Sequence, residues 1–450
     1  MPPMHHPQVL PAIRREVSDW RLWATRLAVL AFAALAGLTV VGFTWLGEKS
    51  LRLFEAVAQL AWWLPLLWTP LCTTASLALM RRLAPGAAGS GIPQVMAALT
   101  PGLRAPTIGR FVSLRLSLAK IALTALGLLG GLSLGREGPS VQIAAGVLHS
   151  VRRWLPRHSR ITSHGLLVAG GAAGIAAAFN TPLGGILFAI EELSGRPERR
   201  SNGLLMAAIV LSGLMAVSIL GNATYFGIIH VNGLSLDLLA PALAVAVGSG
   251  VLGGLFSRLL VVSLAGTSPD WFSRMRRQHP LRFAFGCGLA VALIGLVSGG
   301  ATFGSGYGHT RAMLEGTDHE SMVYVLLKFA ATWITTWSGV PGGIFAPSLA
   351  IGAALGNDIA QFAPPDQAAT LIALGMAGFL AAATQAPLTA FIIVMEMVDG
   401  HALVLTLMAA ALVASAISRL ISTSLYAALA ALQLQRLPAE ERPAAGTARH

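Results

Sequence analysis

Charge is what this sequence lacks most. Thirty-one Lys or Arg and 19 Asp or Glu in 450 residues amount to 11%, against about 25% in soluble globular domains. Lysine occurs only as Lys49, Lys120 and Lys328, and tyrosine only four times. The two cysteines, Cys72 and Cys287, sit in apolar stretches with no CxxC spacing, so a disulfide framework is excluded and both read as small buried apolar residues. The hydrophobic fraction is 55% and the mean hydropathy +0.69. A soluble enzyme, a disordered chain and a nucleic-acid binder each need polar surface that this composition does not supply. The net charge of +12 lies in short clusters between apolar runs, which suits cytoplasmic membrane loops rather than nucleic acid. An all-α polytopic membrane protein is the expectation.

Leu27 to Leu46 is a full span, since about 20 residues cross the hydrocarbon. Ala56 to Met80 is another, interrupted by Pro65 and Pro70. Further apolar runs fall near 112–134, 164–190, 203–229, 238–257, 283–304, 321–360, 368–395 and 402–418. The 49 glycines and 24 prolines often interrupt these runs. Broken backbone at membrane depth survives only where protein buries it or water reaches it, so the pattern predicts a channel or transporter with discontinuous helices. Arg14/Arg15, Arg81/Arg82, Arg152/Arg153, Arg196/Arg199/Arg200 and Arg274/Arg276/Arg277 mark inside loops. Residues 1–22 read as a cytoplasmic N-terminal segment without a signal peptide, in which His5 and His6 belong to a tail rather than a metal site. Residues 23–434 read as the transport domain and 435–450 as a polar tail with no regulatory domain after it.

The chain also repeats itself. Lys120 recurs as Lys328 and Pro139-Ser140 as Pro347-Ser348, both 208 residues on; Pro182-Leu183 recurs as Pro387-Leu388 and Glu191 as Glu396, both 205 on. With charge so rare, the match predicts two similar halves, about 25–220 and 235–430. Inverted repeats with a site at the membrane midplane are common in such proteins.

Gly89-Ser90-Gly91-Ile92-Pro93, Gly135-Arg136-Glu137-Gly138-Pro139 and Gly342-Gly343-Ile344-Phe345-Ala346-Pro347 each precede an apolar helix, expected over Gln94–Leu99, Ser140–Leu148 and Ser348–Leu355. Glycine then proline suits a helix N-terminus. Its free N–H groups and positive dipole end attract anions. Three such ends converging hold an anion without a full positive charge, which would bind an ion too tightly to release it. Close helix packing through glycine is the plainer reading of any one motif.

In this order the three motifs, together with Ala177 to Leu193, resemble the CLC family of chloride channels and chloride/proton antiporters, over nearly the whole chain. That resemblance implies a fold of many tilted, broken helices in two inverted repeats, one pore per subunit, a homodimer, and chloride and protons as transported species, with no cofactor, no metal and no enzymatic activity. It also implies roles for single residues. Ser90 matches the serine whose hydroxyl coordinates the anion, and is typical of chloride-preferring members where nitrate-preferring ones tend to carry proline. Ile344 and Phe345 match the residues whose amides face it, and Tyr426 the tyrosine whose phenol closes the site from inside. Glu137 matches the gating glutamate, flanked by Arg136 and Gly138 as backbone donors to an outer anion position. A carboxylate inside an apolar span is expensive and functional by default. Glu192, 55 residues after Glu137, matches the internal proton relay that antiporters usually have and channels usually lack. Glu191 then reads as structural. Lys120 matches a buried lysine that either adds positive potential to the anion path or pairs with a carboxylate. Gln94 departs from the family's glutamate, which puts local helix capping in doubt. Lack of a regulatory domain resembles the short prokaryotic members and predicts a bacterial inner membrane protein. Chloride/proton antiport is the expected function, with a passive chloride channel as the alternative. A membrane hydrolase is disfavoured because His164, His230 and His309 lie far apart and outside any HExxH or GxSx motif.

Overall fold

The structure, a computed structural model, describes residues 20–156, 159, 161–194, 202–221, 225–227, 236–317 and 322–442. The clusters around Arg14 and Arg196–Arg200, His5, His6 and His230, and the tail from 443 lie outside them. The chain folds into α1 (Trp20–Leu60), α2 (Pro65–Leu83), α3 (Ile92–Ala98), α4 (Ala105–Phe111), α5 (Leu114–Leu129), α6 (Glu137–Ser150), α7 (Ser163–Phe179), α8 (Pro182–Phe188) and α9 (Asn202–Leu220). Next come α10 (Leu239–Ala265), α11 (Trp271–Gln278), α12 (Pro280–Val297), α13 (Tyr307–Leu314), α14 (Val323–Ser338), α15 (Phe345–Ala360), α16 (Ala368–Thr384), α17 (Pro387–Met397), α18 (Val404–Ile421) and α19 (Leu425–Gln435). Seven helical stretches among the described residues are long and apolar enough to cross a bilayer.

Several apolar runs hold two helices each. The run 164–190 divides into α7 and α8, and 368–395 into α16 and α17. Both breaks have the same chemistry. Asn180 and Gln385 end their helices in the left-handed conformation, at φ 59° and 63°, and Pro182 and Pro387 open the next ones. A proline cannot continue a helix but suits a first turn. The expected span Leu27–Leu46 is instead the middle of the 41-residue α1. At 1.5 Å per residue that helix is about 60 Å long, twice the hydrocarbon thickness. Its surplus is the charged end carrying Glu48, Lys49, Arg52 and Glu55.

The two halves meet through reciprocal contacts. Gly135 and Gly343, 208 residues apart, form an isolated antiparallel bridge, with N–H···O distances of 2.7 and 2.8 Å. The Glu191 carboxylate accepts from the Leu388 and Thr389 amides at 3.1 and 2.7 Å. Glu396 accepts from the Leu183 and Gly184 amides at the same two distances. Each glutamate thus caps a helix of the opposite half, where a carboxylate meets free N–H groups and the positive dipole end. The repeat is inverted. The bridge between the equivalent residues Gly135 and Gly343 is antiparallel, so the chain enters α6 and α15 in opposite directions.

The two buried lysines complete the symmetry. Lys120 donates to the Ala87 and Gly89 carbonyls at 2.8 and 2.6 Å. Lys328 donates to Thr302 and Gly304 at 2.9 and 2.8 Å. The turns they hold are copies of one another, Gly89-Ser90-Gly91 and Gly304-Ser305-Gly306. An ammonium in an apolar core is costly, and the charge-assisted bonds to carbonyl dipoles offset that cost.

Candidate functional site

The centre of the molecule is where α6 and α15 begin. Both have the same opening turn. Arg136 and Ile344 are the caps, a proline stands third in each helix, and the first amide inside the ladder is Ser140 or Ser348, bonded back to the cap carbonyl at 2.9 Å. The helices begin two or three residues before the expected starts, so Glu137, Gly138 and Phe345 lie in the first turns. Amides there have no intrahelical acceptor. The Gly135–Gly343 bridge clamps the two starts together.

Ser90 enters this space from the turn before α3. Gly138 lies directly against the Ser90 hydroxyl, and a Cβ at 138 would collide with it. Only glycine permits that approach. Gly91, at φ +110°, turns the chain into α3. Gln94 caps that helix, accepting from the Gly91 amide at 3.0 Å and donating to the Ala88 carbonyl. Glutamine therefore supplies the cap that its departure from glutamate put in doubt, its bond to the Gly91 amide being the half of a capping box that a glycine N-cap allows. Lys120 fixes the same turn through Ala87 and Gly89. Among the described residues no carboxylate pairs with Lys120, whose bonds go to these two carbonyls instead. Its charge still lies one residue from Ser90.

Tyr426 comes from the first turn of α19, which packs on α3. It is fully buried, and its ring stacks on Phe345 with centroids 6.0 Å apart at 12°. The Tyr426 phenol lies beside the Ser90 hydroxyl and within electrostatic reach of Glu137 and Glu192. Both hydroxyls are buried, and apart from each other neither has a hydrogen-bond partner among the described residues. Leaving a buried donor unbonded costs about 1–3 kcal/mol, and these two hydroxyls meet beside the first turns of α6 and α15, whose opening amides have no intrahelical acceptor.

Glu137 is 1% exposed. Its oxygens face the amides of Arg136, Glu137 and Ala346 but are hydrogen-bonded to none. Its own side chain fills the space beside Gly135. The Arg136 side chain forms no ion pair with it and bonds elsewhere. Its guanidinium donates to the Thr44 carbonyl, to Glu48 and to the Tyr225 hydroxyl. It borders a cavity of about 1020 Å³ lined also by Glu48, Arg52, Glu55, Tyr307 and His309. Glu48, Tyr225 and Tyr307 are neighbours that sequence reasoning missed. The signals available were the rarity of tyrosine and the position of Glu48 just past an apolar run.

Glu192 stands apart from this cluster. It lies in a π-helical turn, Ala189–Ser194, half-buried, with no hydrogen bond or ion pair to any described residue. The wide turn sends Glu191 to the α17 cap and leaves Glu192 facing another way. Such turns often occur at functional positions. His164 and His309 are not joined in any metal-ligating group, of which there is none among the described residues.

Residues 72–419 match the family model described as Voltage gated chloride channel. The "H(+)/Cl(-) exchange transporter ClcA" of Klebsiella pneumoniae subsp. pneumoniae is 32% identical, over 93% of this chain and 91% of its own. A slow cyanobacterial Cl-/H+ antiporter superposes with a TM-score of 0.77 at 26% identity, covering 92% of this chain and 98% of its own. A CLC-type fluoride/proton antiporter shares the fold, with a TM-score of 0.74 at 24% identity over 92% of this chain and 99% of its own. The inverted repeat, the paired helix starts and a match across most of the chain lead to one conclusion: this multi-pass membrane protein belongs to the voltage gated chloride channel family, of the CLC type.

Proposed function

We propose that the protein exchanges chloride for protons across a bacterial inner membrane. The observation that carries this reading is Glu137, a buried carboxylate faced by the backbone amides of two helix N-termini, beside the buried hydroxyls of Ser90 and Tyr426. Chloride binds between those hydroxyls and the amides of Ile344 and Phe345. Ionised, Glu137 competes with a second chloride for the outer amides, near Arg136 and Gly138. Protonated, it loses the attraction to the dipole ends and leaves, so proton uptake and anion entry are linked. Partial charges of about +0.5 at each helix end hold chloride without trapping it. Glu192 is the relay on the Tyr426 side, delivering the proton past Tyr426 to Glu137. That half-buried carboxylate favours exchange over a passive channel, as does the name of the Klebsiella relative.

The Tyr426 side faces the cytoplasm. Arg81 and Arg82 share a shallow pocket with His279 and Arg282. Arg276 and Arg436 both bond the last carbonyls of α10. This arginine-rich end is the one to which α19 leads, and cytoplasmic ends are the basic ones. The protein works as a homodimer with one pathway per subunit, without cofactor or covalent chemistry. The test is Glu137→Gln in liposomes. The neutral amide mimics the protonated gate, so chloride flux continues and proton movement stops. A variant that still drives protons with a chloride gradient refutes the gating role.

A further inference from the structure

The cavity of about 1020 Å³ reaches Arg136 but not Glu137. The Arg136 side chain, itself only 14% exposed, lines the cavity next in sequence to Glu137. Its guanidinium has two sides. One nitrogen is held by α1, through the Thr44 carbonyl at 3.2 Å and Glu48 at 3.0 Å. The other donates to the Tyr225 hydroxyl at 3.3 Å, its one hydrogen-bond partner among the described residues.

Tyr225 is itself fixed. The Tyr307 hydroxyl donates to its carbonyl at 2.8 Å, and the next amide, Phe226, donates to the Met397 carbonyl at 2.9 Å. Its ring meets Tyr307 at 4.8 Å and Phe179 at 5.9 Å, both edge-on. Phe179 in turn packs on Phe345 at 6.0 Å, and Phe345 stacks on Tyr426. Three of the chain's four tyrosines therefore stand on one aromatic line from the cavity to the anion cradle. Edge-on aromatic pairs resist sliding more than aliphatic contacts do, so this line is a firm seat for the hydroxyl.

We propose that the Tyr225 hydroxyl is a positioning residue for Arg136: it holds the guanidinium across the route from the cavity to Glu137 and sets how readily that route opens. The proposal deepens the exchange reading and rests on it for what passes. The access it describes is measurable without transport.

The experiment uses the full chain with Cys72→Ala and Cys287→Ala, and Glu137→Cys as the reporter. The rate of thiol modification by a small, membrane-impermeant methanethiosulfonate reads access from the cavity. Adding Tyr225→Phe keeps the ring and removes one hydrogen bond to a charged group, so the rate is expected to rise about 10- to 150-fold. Arg136→Ala alone raises it as well. In the Arg136→Ala background Tyr225→Phe adds nothing, because two residues acting through one contact are not additive. An unchanged rate in Tyr225→Phe overturns the proposal. So does an equal increment in both backgrounds, which would mean that the hydroxyl acts through something other than Arg136. Absence of modification even with Arg136→Ala would show that the cavity does not lead to Glu137, and overturns it too. If this pattern holds while chloride and proton fluxes prove independent, the exchange reading fails and the positioning role stands.

Discussion

Tyr426→Phe isolates one donor of the anion cradle. The ring stays, and with it the stacking on Phe345 at 6.0 Å and 12°, so α19 keeps its seat on α3. What disappears is a buried hydroxyl whose one neighbour among the described hydrogen-bonding side chains is Ser90. A hydrogen bond to a charged partner contributes about 1.5–3 kcal/mol, and about 1.4 kcal/mol is a factor of ten in affinity. Chloride should therefore bind about 10- to 150-fold more weakly. Calorimetric titration of purified protein with chloride reads this directly, with thermal unfolding as the check on the fold. A dissociation constant within about twofold of the parent, in a variant that unfolds normally, would remove Tyr426 from the site and with it the proposed closure on the cytoplasmic side.

Three further outcomes are expected. Glu192→Ala should stop proton movement while chloride permeates, read by a pH electrode and a chloride electrode on one liposome suspension; unchanged proton flux would move the relay to another group or to water. Ser90→Pro removes a hydroxyl donor while Gly138 and α15 keep their amides, so nitrate should gain on chloride; an identical flux ratio for the two anions in parent and variant would mean Ser90 does not line the selectivity site. Glu191→Ala leaves two amides of α17 without acceptors and should cost roughly 2–4 kcal/mol of stability, and its symmetric partner Glu396→Ala should lower the unfolding temperature about as much. A large difference between the two would contradict the equivalence of the caps.

The architecture was legible in the sequence because membrane chains expose their exceptions. A lysine, a glutamate and a Pro-Ser pair recurring at nearly one offset betray two halves when charge is this scarce, and the Gly135–Gly343 bridge and the crossed caps of Glu191 and Glu396 are the physical form of that repeat. The second Gly-Ser-Gly turn, Gly304-Ser305-Gly306, escapes the same search. It lies 215 residues after the first, and Tyr307-Gly308 comes after it instead of Ile-Pro. Helix lengths were less legible: hydropathy marks where α1 is apolar, and the charged end past Leu46 continues as helix because nothing there breaks it. Breaks inside apolar runs were visible as Pro182 and Pro387; Asn180, a residue that adopts the left-handed conformation readily, also marks one of them, whereas Gln385 carries no such signature. The site residues on glycine-rich turns could be named because their chemistry is in the backbone. Tyr225 and Glu48 could not, since their value lies in reaching Arg136 across 89 and 88 positions of sequence. The π turn that separates Glu191 from Glu192 is likewise set by packing between halves.

The central claim is that chloride and protons move through one obligatory cycle. Its most direct test is the reversal potential of purified protein in a planar bilayer, with chloride equal on both sides and a pH difference imposed. Exchange through Glu137 and Glu192 predicts that the potential moves away from zero with each step of pH and that Glu192→Ala returns it to zero. A potential that stays at zero whatever the pH difference, with chloride current present, would contradict exchange and leave a passive chloride pathway.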